Sequence, residues 1–258
     1  MIELVHLVWA PLGVEPFERF LRSYVDHPAG TEHRLVLVFK EFRDSGHSAP
    51  WDALAAQVAH VRIDMPEPVL DLGAYRRVAD AGDGRRLCFT NSNAEVLADG
   101  WLSILDRALD DPGVGMVAAT GSWESAYSAA PLWLKPLRRR HFDSFPNPHL
   151  RTNAFMLDRR LLLDLDWPDV GTRKLAALRL ESGRCGISGQ IRGRGLSIEV
   201  VGRDGRRYPW PEWPSSGTFR SGDQANLLVA DNRTAQYRDA QPARRRELTR
   251  FAWGDDSR

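Results

Sequence analysis

A mostly parallel α/β sheet flanked by helices, in a single domain over residues 1–258, is the fold class this sequence predicts. Three observations predict it. Short β-rich apolar runs alternate with segments whose apolar residues recur at helical spacing. The first runs, residues 4–10 and 34–39, are apolar at most positions, as central strands are. Length and composition are those of an ordinary soluble globule, with no internal repeat or low-complexity tract.

The elements follow in order. Residues 4–10 make a strand and Pro11-Leu12-Gly13 a turn. Residues 14–26 carry Phe17, Phe20, Leu21 and Tyr24 at helical spacing, with Pro16 tolerated near the start. A strand at 33–39, a helix at 50–58 and a short strand at 61–63 come next. A helix then opens at Asp71, and an apolar strand covers 86–89. Trp101, Leu102, Leu105 and Leu109 give another helix, stopped by Asp111-Pro112-Gly113. Residues 115–120 are a fifth strand. The segment 122–148, with Trp123, Pro131, Trp133 and Pro136, has no clean period and reads as a long excursion whose aromatics something must cover. Regularity returns with a strand at 152–157, helices at 159–163 and 173–181, a helical turn at 188–194 and a strand at 196–201. Arg203-Asp204-Gly205-Arg206 is a hairpin turn. Residues 208–221 read as loop, and 223–229 and 243–253 as helices.

Composition narrows the function. A formal net charge of +1 gives no whole-protein field for nucleic acid or an anionic membrane. Lysine occurs only at 40, 135 and 174, so single arginines are weak signals. Cys88 falls in a predicted buried strand, and Cys185 is the only other cysteine. A disulfide framework is not expected, and a reducing cytoplasm fits. No CxxC or CxxH spacing offers a zinc site. No apolar run spans a membrane, and no leader is expected before the first strand. No G-x-x-x-x-G-K-[ST] or strand-borne G-x-G-x-x-G appears, against kinases and Rossmann dehydrogenases.

The chemistry-bearing stretch runs from Asp71 to Trp101. A helix with Asp71, Gly73 and Arg76 precedes a strand that ends in Asn91-Ser92-Asn93. Clustered side-chain oxygens at the carboxyl end of a strand stand where α/β folds place ligands. The same triplet also reads as Asx turns, and Asp71 as a helix cap. Gly73 leaves room for close backbone approach.

This order resembles nucleotide-sugar glycosyltransferases of the GT-A fold, family 2-like, over most of the chain. Their first strand ends in a turn that contacts the nucleotide, here Val8-Trp9-Ala10-Pro11-Leu12-Gly13. Their N-x-G-x-x-x-A-x-N segment is matched loosely by Asp71 to Asp80. The resemblance therefore assigns the donor to Pro11, Leu12, Gly13, Asp71, Gly73, Arg76, Asn91, Ser92, Asn93 and Arg220. Residues 1–121 become a nucleotide-binding half and 122–258 an acceptor-binding half. Asn91 and Asn93 replace the Asp-x-Asp motif that holds Mg or Mn. Neutral amides weaken such a site. Either the diphosphate is held without metal, with Arg220 as clamp, or Glu95 or Asp223 holds the ion. In the second half, Asn153 to Leu161, Glu181-Ser182-Gly183 and Arg192 to Ile198 follow the family order. In inverting members the acidic residue is the general base, which falls on Glu181. The interval to Gly195 is longer than usual and the paired Asp is missing, so Asp169 and Asp223 are rivals. His149, Arg151 and Asp223 are the acceptor candidates, for a glycan or a lipid-linked acceptor. Arg138-Arg139-Arg140, beside Trp133 and Leu137, reads as a solvated face or as a peripheral membrane contact. The expected activity is hexosyl transfer in polysaccharide biosynthesis. The alternatives are a non-catalytic scaffold binding a glycan or a protein partner, and a sugar nucleotidyltransferase, whose G-x-G-T-R type signature is absent.

Overall fold

The apolar run Ile2–Trp9 forms β1, the strand on which the fold is organised. The computed structural model describes residues 1–43 and 45–255 and places β1 within an eight-stranded sheet. On one side β1 pairs in parallel with β2 (His33–Lys40), and β2 with β3 (Val61–Met65). On the other it pairs in parallel with β4 (Arg86–Thr90). Further along come β5 (Glu95–Val96), β6 (Val114–Ala118), β7 (Gly121–Ser122), β8 (His149–Leu150), β9 (Ala154–Asp158), β10 (Ser197–Val201), β11 (Arg207–Pro209) and β12 (Val229–Ala230). The sheet order is β11-β10-β6-β9-β4-β1-β2-β3. Strand β9 runs antiparallel between β4 and β6, and β11 is an antiparallel edge. The pairs β5–β12 and β7–β8 form two small ribbons.

Helices cover both faces. They are α1 (Glu15–Asp26), α2 (Ser45–Ala55), α3 (Asp71–Ala81), α4 (Trp101–Ala108), α5 (Lys135–Arg139), α6 (Arg159–Leu163), α7 (Lys174–Ser182), α8 (Ile187–Gly193), α9 (Asn232–Arg238) and α10 (Pro242–Trp253). Alternation along β1 explains the two cores. Leu4 and Val8 pack with Phe17, Phe20 and Leu21 of α1 and Trp101 and Leu105 of α4. Val5 and Leu7 face the other way, toward Leu72, Tyr75 and Val78 of α3 and Ile187 and Ile191 of α8. Each fully buried side chain of this size contributes about 1.5–3 kcal/mol. His6 lies on the α1 side. Its ring stacks on Phe20 with centroids 3.4 Å apart, and Nδ1 is 3.1 Å from Thr90 Oγ1. Burial pulls the imidazole down to about 3.

The chain runs outward from β1 to β2 and β3 and then returns to β4 on the other side of β1. That reversal opens a crevice at the carboxyl ends of β1 and β4.

Three expectations change. Residues 208–221 are not all loop, since Arg207–Pro209 pairs with β10 and Trp210–Ser215 is a 3₁₀ helix. Residues 223–229 are not a helix. Arg220 and Gln224 have positive φ, and Asp223 closes an Asx turn on the Ala225 N–H at 2.9 Å. The helix starts later, at Asn232, where Asp231 and Thr234 make a reciprocal capping box. The excursion 122–148 is tied down by β7, a short 3₁₀ turn (Leu132–Leu134) and α5. Trp123 donates to the Trp210 carbonyl at 3.1 Å.

Candidate active site

The crevice at the strand ends is a cleft of about 580 Å³. Trp9 closes β1 and presents its indole to the cleft; its Nε1 donates to Glu41 Oε1 at 2.8 Å. Glu41 follows β2 with φ of 62°, a left-handed conformation that costs on the order of 1–3 kcal/mol outside glycine. Lys40, the last residue of β2, is buried and donates from Nζ to Asp71 Oδ1 at 2.7 Å. Asp71 opens α3 as its first helical residue. The cap is Leu70, so the Asp71 carboxylate is turned to Lys40 and the cleft rather than to its own helix. Ser92 and Asn93, beyond β4, line the cleft, as do Leu12, Thr152, Lys174 and Arg233.

Glu181 lies near the end of α7. Its Oε1 accepts from the Thr152 hydroxyl at 2.7 Å and the Thr152 N–H at 3.2 Å. Oε2 has no protein partner among the described residues. Tyr75 lies beneath, and its hydroxyl pKa is raised well above the ordinary value by burial, then by the charges of Asp71 and Glu181. A second cleft of about 310 Å³ adjoins the first. Glu124, His149, Arg151, Phe219 and Arg220 line it, and Leu178, Glu181 and Arg233 line both clefts. Its walls are built from closed ion pairs. Arg151 Nη2 is 2.7 Å from Asp231 Oδ2, and Arg220 Nη1 is 2.6 Å from Glu124 Oε1. Arg151 also lies over the Phe219 ring, 4.3 Å from its centroid. Burial would raise the Asp231 carboxyl, but the Arg151 guanidinium and the Thr234 N–H hold it below its ordinary value. Burial pulls the Arg220 guanidinium below its ordinary value, with Glu124 opposing.

The structure thus brings Leu12, Asp71, Ser92, Asn93 and Glu181 together in the first cleft, and His149, Arg151, Arg220 and Glu181 in the second. Pro11 and Gly13 flank Leu12 in the turn after β1. Asn91 folds back: its Oδ1 accepts from the Asn93 N–H at 3.1 Å. Gly73 faces apolar side chains of its own fold. Its missing Cβ leaves room for Val69 and Val170. Arg76 is tied to Asp80 at 3.0 Å along α3, and Asp223 is spent in its turn. Asp169 accepts from the Gly171 N–H at 3.0 Å ahead of α7. Arg220 belongs to the second cleft, paired, rather than to the first. Trp9 stands in the turn that the resemblance gave to the nucleotide, whereas sequence reasoning missed Lys40, Glu41, Thr152, Lys174 and Arg233 as lining residues. Scarcity was a usable signal, because two of the chain's three lysines line the first cleft.

A divalent ion asks for hard anionic oxygens. Asn91 and Asn93 offer neutral amides, and Asn91 Oδ1 is already engaged. Among the described residues no three His, Cys, Asp or Glu side chains cluster so as to hold a metal ion, so Glu95 and Asp223 do not complete such a site. The residues present do not fit a resident Mg or Mn ion. Cys88 and Cys185 are both free. No helix among the described residues is long and apolar enough to cross a membrane.

The solved structures that the chain resembles include glycosyltransferases. One is the mannosyltransferase PcManGT from Pyrobaculum calidifontis in complex with GDP-Man and Mn2+, at 16% identity over 70% of this chain and 53% of that one, TM-score 0.40. Another is mouse xyloside xylosyltransferase 1 in its apo form, at 10% identity over 78% and 85%, TM-score 0.47. A third is GalNAc-T7 with UDP, GalNAc and Mn2+, at 14% identity over 66% and 37%, TM-score 0.45. The chain spans about half the length of the first and little more than a third of the third. No family model and no curated protein matches the chain.

Proposed function

We propose that the chain moves a sugar from a nucleotide-sugar donor in the first cleft to a hydroxyl of a glycan or glycolipid in the second, with inversion at the anomeric carbon. The observation that carries this reading is the position of Glu181. Its carboxylate lines both clefts, Thr152 fixes one oxygen, and the other has no partner among the described residues. In a single displacement the acceptor oxygen attacks the anomeric carbon while its proton passes to Glu181. The bond from that carbon to the diphosphate breaks, and the nucleoside diphosphate leaves with the electron pair. Lys174 and Arg233 sit where they can meet the diphosphate, and neither makes an ion pair among the described residues. The Trp9 indole and the Asp71 carboxylate are the groups for the nucleoside. Hexosyl transfer in cytoplasmic polysaccharide assembly is the finer form of the reading.

Glu181→Gln tests it. Glutamine can still accept both Thr152 hydrogen bonds, so folding should survive while basicity is lost. Turnover should fall by about 10²–10⁴ with nucleotide affinity nearly unaltered. Wild-type kcat in that variant overturns the assignment. The neutral Asn91 and Asn93 favour one rival, a scaffold that binds sugar nucleotide without turning it over. Calorimetry with UDP, GDP and dTDP, followed by a turnover assay, separates the two. At a hundredfold excess over Kd, a bound nucleotide should stabilise the fold by about 2.7 kcal/mol.

A further inference from the structure

Residues 131–140 carry an apolar surface that the fold leaves uncovered. Leu132 is 82% exposed, Trp133 77% and Leu137 57%. Single exposed apolar side chains are ordinary, but three large ones on one short segment mark a contact surface. The 3₁₀ turn Leu132–Leu134 runs directly into α5, so the three are held on a short helical unit rather than a loose loop.

Charge identifies the partner. The segment 127–142 holds Lys135, Arg138, Arg139 and Arg140 and no acidic residue. Arg139 and Arg140 are exposed and make no ion pair among the described residues. The basic face continues beyond α5. Arg140 and His141 line a hollow of about 400 Å³ with Arg173, Arg179 and Arg184, where Asp166 is the acid. Arg184 is occupied by Asp143 at 2.8 Å, while Arg140 and Arg179 make no ion pair among the described residues. An apolar wedge bearing tryptophan, beside cations able to meet phosphates, matches the two components of an anionic bilayer surface.

We infer that this face docks on an anionic membrane surface. Leu132, Trp133 and Leu137 enter the headgroup layer, and Lys135, Arg139 and Arg140 meet lipid phosphates. Glu124, Ser125 and Ala129 wall the second cleft immediately before the docking segment in the chain. Docking therefore brings that cleft near lipid-borne acceptors. This last step rests on the transfer reading, whereas the docking does not.

The test is co-sedimentation of the full chain with vesicles of phosphatidylcholine alone and of phosphatidylcholine with phosphatidylglycerol. Binding should require the anionic lipid and weaken as salt rises. Each surface cation is worth about a factor of five, so Lys135→Gln/Arg139→Gln/Arg140→Gln should lose roughly a hundredfold in partition. Leu132→Ser/Trp133→Ser should lose at least about tenfold. Both variants should keep the wild-type unfolding midpoint and wild-type turnover of a soluble acceptor, which separates failure of docking from failure of transfer. Absence of vesicle binding, equal binding to neutral vesicles, or variants that bind like wild type overturns the inference. So does displacement from vesicles by inorganic phosphate, which marks a free-anion site. A dimer in light scattering that Leu132→Ser/Trp133→Ser dissolves, without vesicle binding, also overturns it and makes the face a contact between copies.

Discussion

The two clefts that meet at Glu181 use their charges differently. In the second, Arg151 and Arg220 are already committed, and only Arg233, which it shares with the first, makes no ion pair among the described residues. Arg151 closes on Asp231, whose side chain is 1% exposed, and Arg220 closes on Glu124. On the rim of the first, Lys174 and Arg233 stand exposed with no ion pair among the described residues. A buried pair is costly to break, because one charge is left without a partner out of water. An exposed, unpaired cation costs the fold little and remains ready for an anion. The second cleft is therefore a wall built by its charges, and the first is a receptor for someone else's.

The largest expected effect comes from breaking the wall. Asp231→Ala removes the partner of Arg151 and the cap of α9 together. It should destabilise the protein by about 3–5 kcal/mol in urea unfolding. Lys174→Ala and Arg233→Ala should each stay within about 0.5 kcal/mol of wild type. Comparable losses at all four sites, Arg220 included, break the distinction.

Acid should separate the two regions next. His6, on the strand that ends at Trp9, has its folded value lowered from 6.5 to about 3 by burial. The unfolded chain takes up a proton below pH 6.5 and the folded one does not until about 3. Stability is thus complete above 6.5, falls as pH falls through that window, and levels below it. The slope is about 1.4 kcal/mol per pH unit, or roughly 2 kcal/mol between pH 7 and 5. Asp231 acts lower. Its folded carboxyl lies below 3.8, so its contribution is present above that value and is lost as pH falls through the depressed one. Unfolding midpoints measured against pH should show the first loss vanish in His6→Asn and persist in Asp231→Asn. A flat profile from pH 7 to 4 in the wild type contradicts the His6 account.

The difference between paired and free charge also explains what could be read from the sequence. The α/β class was legible because alternating apolar runs and helical periods are local properties. The crevice was legible at Asn91-Ser92-Asn93 because a strand and its end are contiguous. Arg220 was legible as a candidate, but its commitment to Glu124 was not, because the two are far apart in sequence and meet only in the fold. Gly73 read as a gap for a ligand, whereas Val69 and Val170 fill the space. The helix expected at 223–229 failed for a local reason that was present but outweighed: Asp231 and Thr234 form the capping box that sets the true start. Lys40 and Lys174 carried their signal in rarity alone.

A smaller effect is expected in nucleotide affinity. Lys174→Ala or Arg233→Ala should each weaken binding of a nucleoside diphosphate by about 1.5–3 kcal/mol, the value of a hydrogen bond to a charged group. Arg220→Ala should weaken it less than either, since its guanidinium is held by Glu124 in the other cleft. Titration calorimetry decides, and a loss at Arg220 equal to that at Lys174 restores Arg220 as the diphosphate clamp.

The smallest expected effect is that of removing divalent metal. A diphosphate brings its negative charge into the first cleft, and something must balance it. Carboxylate ligands would let an ion do so, but the turn after β4 offers the amides of Asn91 and Asn93, with Asn91 Oδ1 turned back onto the Asn93 N–H. Lys174 and Arg233 bring fixed positive charge to the same cleft. Nucleotide affinity in EDTA should then match that in Mn to within the error of the titration, while added salt weakens it by screening exposed cations. The two arms have opposite signatures. Binding held by a metal is abolished by chelation and restored by Mn. Binding held by side chains ignores the chelator and responds to ionic strength and to Lys174→Ala. Binding that EDTA abolishes, together with an unaffected Lys174→Ala variant, would mean that the charge for the diphosphate is supplied by an ion on ligands other than the asparagines, and that the exposed cations of the first cleft have some other use.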